Sequence, residues 1–211
     1  MTSRGELLLV NLLCFGPFAA ISVIELAELR SVLLFDNTRA LQILGIELVC
    51  GAIALLILRK RGWDFAALGL RPTFVQTVAG MMLMLGVNLL IGGFYELTQA
   101  LTNSDPGAAT SMTSKLTWPV LILFTLLNPL YDELFVVAYN VEAAKESGAA
   151  FAVSLSAFVR FVCHLEQGPI AAVTILPLGL VFAAVYWRWR RLWPLVVAHG
   201  IMDFVGMIPQ P

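Results

Sequence analysis

Charged side chains are scarce in this chain, and their scarcity excludes an ordinary soluble protein. Only 13% of the 211 residues are charged, 59% are hydrophobic, and the mean hydropathy is +0.86. Soluble domains carry about 25% charged residues. The net charge is -1 and no one-signed basic face is evident, so we expect no nucleic-acid partner. The composition predicts an integral membrane protein in contact with lipid.

Residues that form disulfides or bind metals are also few. Cys14, Cys50 and Cys163 all lie inside apolar runs, which argues against a disulfide framework and favours small buried side chains. The chain has two histidines and no HExxH motif. Because no predicted helix offers two histidines, we expect no cofactor, and a divalent metal such as zinc is the less favoured alternative.

Long apolar runs dominate what remains, and each spanning helix needs about 20 such residues. They predict helices near 6–29, 39–58, 73–98, 117–144, 149–165, 169–188 and 193–208. The first run lacks a small-x-small cleavage site, so we expect a retained helix and not a signal peptide. We predict an all-α polytopic membrane helix bundle of about seven transmembrane helices, forming a single membrane domain over residues 1–211.

The connections between the helices are predicted to be short, with one exception. Segment 99–116 is rich in Ser, Thr, Gly and Pro and predicts an exposed loop. Most lysines and arginines fall on the side of the N-terminus, including Arg59, Lys60 and Arg61. The positive-inside rule therefore predicts a cytoplasmic N-terminus. We expect the membrane to be that of a bacterial cell. Segment 61–73 becomes a cytoplasmic connection with a short surface helix.

Two adjacent carboxylates, Asp132 and Glu133, lie in the middle of the apolar run 118–144. An ionisable side chain at the centre of a spanning helix costs at least about 2.5–3.5 kcal/mol, so such residues normally face a protein interior or a water-filled cavity and serve a function. A purely structural ion pair is the alternative interpretation. The pair is our first candidate for catalytic chemistry.

Two further helices carry polar pairs at a spacing of four residues. Arg160 and His164 form one pair, and His199 and Asp203 form the other, so each pair lies on one helix face. Lipid cannot solvate these groups, which favours a common cavity for all three pairs. Glu47 and Asn88 are also predicted to lie inside the membrane, but they belong to no motif and are interpreted as packing or interface residues.

These residue types suit hydrolysis of an amide by activated water. A buried carboxylate near a cation such as Arg160 can act as a general base. His164 and His199 can donate hydrogen bonds to an oxyanion, and Asp203 can orient His199. Ser156 and Cys163 are weaker candidates for a nucleophile. A proton-coupled transporter would use similar groups, but no inverted repeat is evident.

The motifs resemble those of the CPBP intramembrane proteases, which include the CAAX prenyl endopeptidases and bacterial proteins of bacteriocin processing or immunity. The resemblance covers the second half of the chain, with a catalytic core at about 117–208. SAFVRFVCHLEQGP at 156–169 is similar to the second family motif, and LWPLVVAHGIMDF at 192–204 to the third. WDFAALGLRP at 63–72 resembles a short segment found ahead of the family core.

The first family motif is a Glu-Glu pair with an Arg four residues after the second Glu. Here the pair is Asp132 and Glu133, and the expected Arg is Val137. The second motif usually has Phe where this chain has Arg160. We therefore hypothesise that the guanidinium has moved to the neighbouring helix.

The resemblance implies a glutamate-type intramembrane protease that acts on a peptide or lipidated-protein substrate. It assigns Asp132, Glu133, His164, His199 and Asp203 to the catalytic site, and the relocation hypothesis adds Arg160. The first carboxylate, Asp132, is the base expected by analogy, and Glu133 is the alternative. The departures at positions 132 and 137 leave a catalytically inactive scaffold or immunity protein as the alternative function. Neither the substrate nor the oligomeric state can be read from the sequence.

The candidate catalytic residues cannot all meet in one site if every helix ends at the membrane surface. At about 1.5 Å per residue, Glu133 would lie about 18 Å from Lys145, but His199 only about 9 Å from Trp193. We expect the charged hairpin at 143–150 to project beyond the bilayer, which removes the conflict and predicts a cavity in the cytoplasmic half of the membrane.

Overall fold

The fold is that of a computed structural model, which describes residues 4–27, 32–102, 111–167 and 169–208. Parts of two sequence predictions lie outside these ranges. They are the last residues of the first predicted helix, 28–29, and residues 103–110 of the predicted loop.

Helices account for most of the described chain, and the predicted all-α membrane bundle is confirmed. The helices are α1 (Arg4–Ala27), α2 (Asn37–Lys60), α3 (Phe74–Thr102), α4 (Trp118–Asp132), α5 (Asn140–Ala143), α6 (Ala149–Cys163), α7 (Pro169–Thr174), α8 (Leu176–Trp189) and α9 (Trp193–Gly206). A π-helical segment, Glu133–Tyr139, joins α4 to α5. Short 3₁₀ turns occupy Phe65–Leu68, Lys145–Ser147 and Leu165–Gln167.

The predicted number of seven spans is approximate. Among the described residues, five helical stretches are long and apolar enough to cross a membrane: Arg4–Ala27, Asn37–Lys60, Phe74–Thr102, Trp118–Ala143 and Ala172–Trp189. The other two predicted spans correspond to α6, with 15 residues, and α9, with 14. At 1.5 Å per residue, helices of this length reach about 21–23 Å, short of the hydrocarbon thickness.

Proline and glycine explain several helix boundaries. In α4, α8 and α9 a proline lies in the first turn, where its missing N–H has no intrahelical partner to lose. Gly69 has a φ of +77°, and its carbonyl accepts a hydrogen bond of 3.1 Å from the Leu192 amide. This bond joins the connection at 61–73 to the turn between α8 and α9. The predicted short helix there is the 3₁₀ turn Phe65–Leu68.

A two-stranded parallel sheet was not predicted. Strand β1 (Val32–Asp36) pairs with β2 (Ser111–Lys115), from Val32 opposite Ser111 to Asp36 opposite Lys115. Strand β2 lies within the segment predicted to be an exposed loop. Of its five residues, SMTSK, four are polar and one, Met112, is hydrophobic, so no hydrophobic alternation predicts a strand.

The largest apolar core surrounds the π-helical segment. Phe135, Val137 and Tyr139 are almost fully buried there against side chains such as Phe182 of α8. Large apolar side chains on the outside of the bundle are exposed, among them Phe74 at 84% and Leu89 at 79%. Exposure of this kind is expected where a helix faces lipid.

Candidate active site

The carboxylate pair lies where the backbone changes its hydrogen-bonding pattern. Helix α4 ends at Asp132, and the π-helical segment begins at Glu133. The Asn140 side-chain amide donates to the carbonyls of Phe135 and Val136, at 3.2 Å each, and so satisfies backbone acceptors within the segment. Such π-helical turns occur frequently at functional sites.

Glu133 connects three helices through a single oxygen. Its Oε1 accepts hydrogen bonds from Arg160 Nη2 at 2.6 Å and from His199 Nδ1 at 2.7 Å. The Glu133 side chain is 0% exposed. The structure thus brings together one member from each of the three polar pairs, on α6, on α9 and at the end of α4.

Arg160 occupies the position between the two carboxylates. Its Nη1 lies 3.8 Å from Asp132 Oδ2, and its guanidinium carbon lies 5.8 Å from the centre of the Phe182 ring. Val137, where the family motif has Arg, is fully buried in the apolar core. The cation near the carboxylates therefore comes from α6, as the relocation hypothesis requires.

The space for Arg160 depends on close packing of α6 against α8. A Cβ atom on Gly179 would lie 3.1 Å from Ala157 Cα and 3.6 Å from Arg160 Cδ. Helix α9 approaches α4 in the same way, because a Cβ on Gly200 would lie 2.9 Å from the Thr125 carbonyl oxygen. Small residues allow such backbone approaches in membrane bundles.

The two histidines differ in their hydrogen-bond partners. His164 Nδ1 lies 2.8 Å from the Arg160 carbonyl oxygen. A carbonyl can only accept, so Nδ1 carries the proton, and Nε2 of the neutral ring is left as an acceptor. His199 lies between two carboxylates, with Nε2 3.5 Å from Asp203 Oδ1. Acidic partners at both nitrogens favour a doubly protonated ring.

A cavity of about 900 Å³ adjoins these groups. Its lining includes Asp132, Arg160, His164, His199 and Asp203. Four of them, all but Asp132, also line a second cavity of about 320 Å³. Glu133 lines neither cavity, whereas the Asp132 side chain is 18% exposed. Of the two carboxylates, Asp132 is therefore the one that can meet a water molecule or a substrate.

Two features of the cavity wall were not recognised in the sequence. Glu47 of α2 lines the larger cavity, and its Oε1 accepts a hydrogen bond of 2.5 Å from the Asn128 side chain. At another part of the wall, Arg39 forms a bidentate pair with Glu25, at 2.6 and 2.7 Å. The only sequence signal for Glu47 was a carboxyl group inside an apolar run.

The weaker nucleophile candidates lie in different places. Ser156 is fully buried and lines neither cavity, whereas Cys163 lines the larger one.

Within the described ranges, no group of three or more His, Cys, Asp or Glu side chains is arranged to hold a metal ion. Asn88 is exposed on α3 and borders the smaller cavity.

Comparison with known proteins gives one match. Residues 114–205 match the family model described as type II CAAX prenyl endopeptidase Rce1-like. The match begins just before α4 and ends within α9, and it confirms the resemblance predicted from the motifs. It supports an intramembrane protease of the CAAX type in general. No curated protein and no solved structure matches the chain.

Proposed function

Starting from the match of residues 114–205 to Rce1-like type II CAAX prenyl endopeptidases, we propose that this protein is an intramembrane endopeptidase in which Asp132, in the place of the family's glutamate, activates water. The observation that carries the proposal is the difference between the paired carboxylates. Asp132 reaches the cavity, and Glu133 is sealed behind it. A general base must reach the proton that it removes.

Asp132 and His164 would share the attacking water. Asp132 accepts one proton from it, while Nε2 of His164, left free by the Nδ1 bond to the Arg160 carbonyl, accepts its second hydrogen bond. This assignment differs from the sequence expectation, which gave His164 the carbonyl oxygen. The positive charge of Arg160, 3.8 Å from Asp132, favours the ionised form of that carboxyl group.

His199 would stabilise the charge that develops on the carbonyl oxygen. Its Nδ1–H is held by Glu133, and its Nε2–H lies 3.5 Å from Asp203 Oδ1. The Nε2–H would be shared between Asp203 and the carbonyl oxygen as charge develops on that oxygen. A preorganised donor of this kind raises kcat by a factor of about 10²–10³. As the C–N bond breaks, the leaving nitrogen takes the proton held by Asp132, which yields a carboxylic acid and an amine.

The proposed substrate is a peptide or lipidated protein that enters the larger cavity from the membrane. We propose that catalysis uses no metal ion and no other cofactor. The N-terminus would be cytoplasmic, as the distribution of lysine and arginine predicts, in a bacterial cell membrane.

The test is cleavage of a quenched fluorescent peptide library by the purified protein in liposomes. Wild-type protein should cleave a subset of peptides, and Asp132→Asn and His164→Ala should not. Glu96→Gln removes an exposed carboxylate of α3 and should retain activity. Chelators should have no effect. The alternative is a catalytically inactive scaffold or immunity protein. It holds if the wild type cleaves no peptide and cells that carry Asp132→Asn keep the phenotype of wild-type cells.

A further inference from the structure

Glu47 is a buried carboxyl group that the proposed reaction does not use. It is 4% exposed and lines the larger cavity together with Asp132. Its Oε1 is held by Asn128, whereas its Oε2 is buried and has no hydrogen-bond partner among the described residues. Glu47 also lies on α2, outside the segment 114–205 that matches the protease family.

The cations around the cavity are already engaged with other acids. Arg160 is bonded to Glu133, and Arg39 is bonded to Glu25. His199 lies between Glu133 and Asp203. Of the ion pairs formed among the described residues, none includes Glu47. Its one bonded neighbour, Asn128, is neutral.

The charged form of a buried carboxyl group that makes no ion pair is unfavourable, because its lost hydration is not compensated. A ligand that brings a positive charge into the cavity would compensate it and would gain affinity from doing so. Once such a ligand draws Glu47 into its ionised form, the free oxygen accepts hydrogen bonds only, which suits an ammonium or guanidinium group.

We propose that Glu47 determines specificity by binding a lysine or arginine side chain of the peptide substrate, a proposal that rests on the proposed protease function. The register follows from α4. Asn128 precedes Asp132 by four residues, so the two side chains lie about one helical turn apart, roughly 5.4–6 Å. An extended peptide advances about 3.3–3.6 Å per residue. The basic residue therefore lies one or two residues from the bond that is cleaved.

The experiment compares two quenched peptides that differ only in Lys or norleucine at that position. Wild-type protein should prefer the Lys peptide by at least about tenfold in kcat/KM, mainly through KM, as expected for a buried charge pair. Glu47→Gln keeps an oxygen for Asn128 but replaces the free oxygen by an amide, so the ratio should fall to about 1. Glu47→Asp should retain a preference for Lys, and Glu96→Gln should leave the ratio unchanged. An equal ratio in wild type and Glu47→Gln overturns the proposal.

A binding measurement separates this proposal from the proposed function. Dissociation constants of both peptides are measured for Asp132→Asn and for Asp132→Asn combined with Glu47→Gln. If the wild type cleaves nothing but the Lys preference in binding still requires Glu47, the protease function fails and the binding role holds. If the wild type cleaves and Glu47→Gln changes neither the kcat/KM ratio nor the ratio of dissociation constants of the two peptides, the protease function holds and the binding role fails. Thermal unfolding of each variant identifies any that is misfolded.

Discussion

Asp132 and Glu133 are neighbours in sequence but lie in different surroundings. The Asp132 side chain reaches the larger cavity and is 18% exposed, whereas the Glu133 side chain is 0% exposed and accepts bonds from Arg160 and His199. Successive residues on a helix point about 100° apart. The same pair of acids can therefore supply a reactive carboxylate and a structural one.

This difference predicts that neutralising Asp132 and neutralising Glu133 have different effects on catalysis and stability. Asp132→Asn should lower kcat by about 10²–10⁴, the usual contribution of a general base, with little change in thermal stability. Glu133→Gln should lower both kcat and the unfolding temperature, because Arg160 and His199 lose their shared partner. Kinetics and thermal unfolding in detergent measure the two effects. Unchanged stability in Glu133→Gln would contradict the structural role, and near-normal kcat in Asp132→Asn would contradict the catalytic one.

Arg160 should be required for the folded site, because its removal leaves a buried carboxylate without a cation. Arg160→Leu is expected to cost about 3–5 kcal/mol of stability, the range for breaking a buried ion pair, and to abolish activity. Combining it with Glu133→Gln should recover part of the stability, since the neutral amide needs no cation. A double-mutant cycle of unfolding free energies measures this coupling. Additive effects, or full activity in Arg160→Leu, would refute the relocation of the guanidinium.

Glu166 should make stability depend on pH. It lies in the connection between α6 and α7, and burial raises its pKa to about 7, although hydrogen bonding to Ser22 and the charge of Arg39 act to lower it. A raised pKa means that the folded state binds the proton more tightly, so this group's unfavourable contribution is complete above about pH 7 and is lost as the pH falls toward 4.

Glu166→Gln removes that contribution and should stabilise the protein at pH 8 by about 1–3 kcal/mol, with the gain gone near pH 4. Thermal unfolding at pH 4, 6 and 8 measures it. Glu146→Gln, at an exposed position of the hairpin, serves as the control and should show no such trend. A gain of the same size at every pH would show that burial of Glu166 is not the cause.

Hydropathy was sufficient to predict where the helices lie, because every long apolar run is largely helical, although the run 169–188 is divided into α7 and α8. It could not show that α6 and α9 have only 15 and 14 residues, since a short helix inside a bundle has the same composition as a spanning one. The parallel strand pair was missed for a related reason. Strand β2 pairs with β1 across about 80 residues of sequence and has no hydrophobic pattern of its own.

Spacing predicted which helix faces carry the polar pairs, and the need for a cation identified Arg160. The sequence could not tell which carboxylate reaches the cavity. That distinction depends on side-chain direction at the start of the π-helical segment, which no local pattern indicated. Glu47 was interpreted as a packing residue, because its contact with Asn128 joins residues 81 positions apart.

Gly179 should be required for the position of Arg160. A Cβ there would lie 3.1 Å from Ala157 Cα and 3.3 Å from Ala157 Cβ, so Gly179→Ala must push α8 away from α6. We expect a loss of about 1–3 kcal/mol, typical of overpacking, and a fall in kcat as the guanidinium moves away from Asp132. Gly92→Ala is the matched control, because a Cβ at that position in α3 meets nothing within 4 Å. That variant should stabilise its helix by up to about 1 kcal/mol and leave kcat unchanged. Equal effects of the two substitutions on unfolding and kinetics would mean that the close contact between α6 and α8 does not set the geometry of the site.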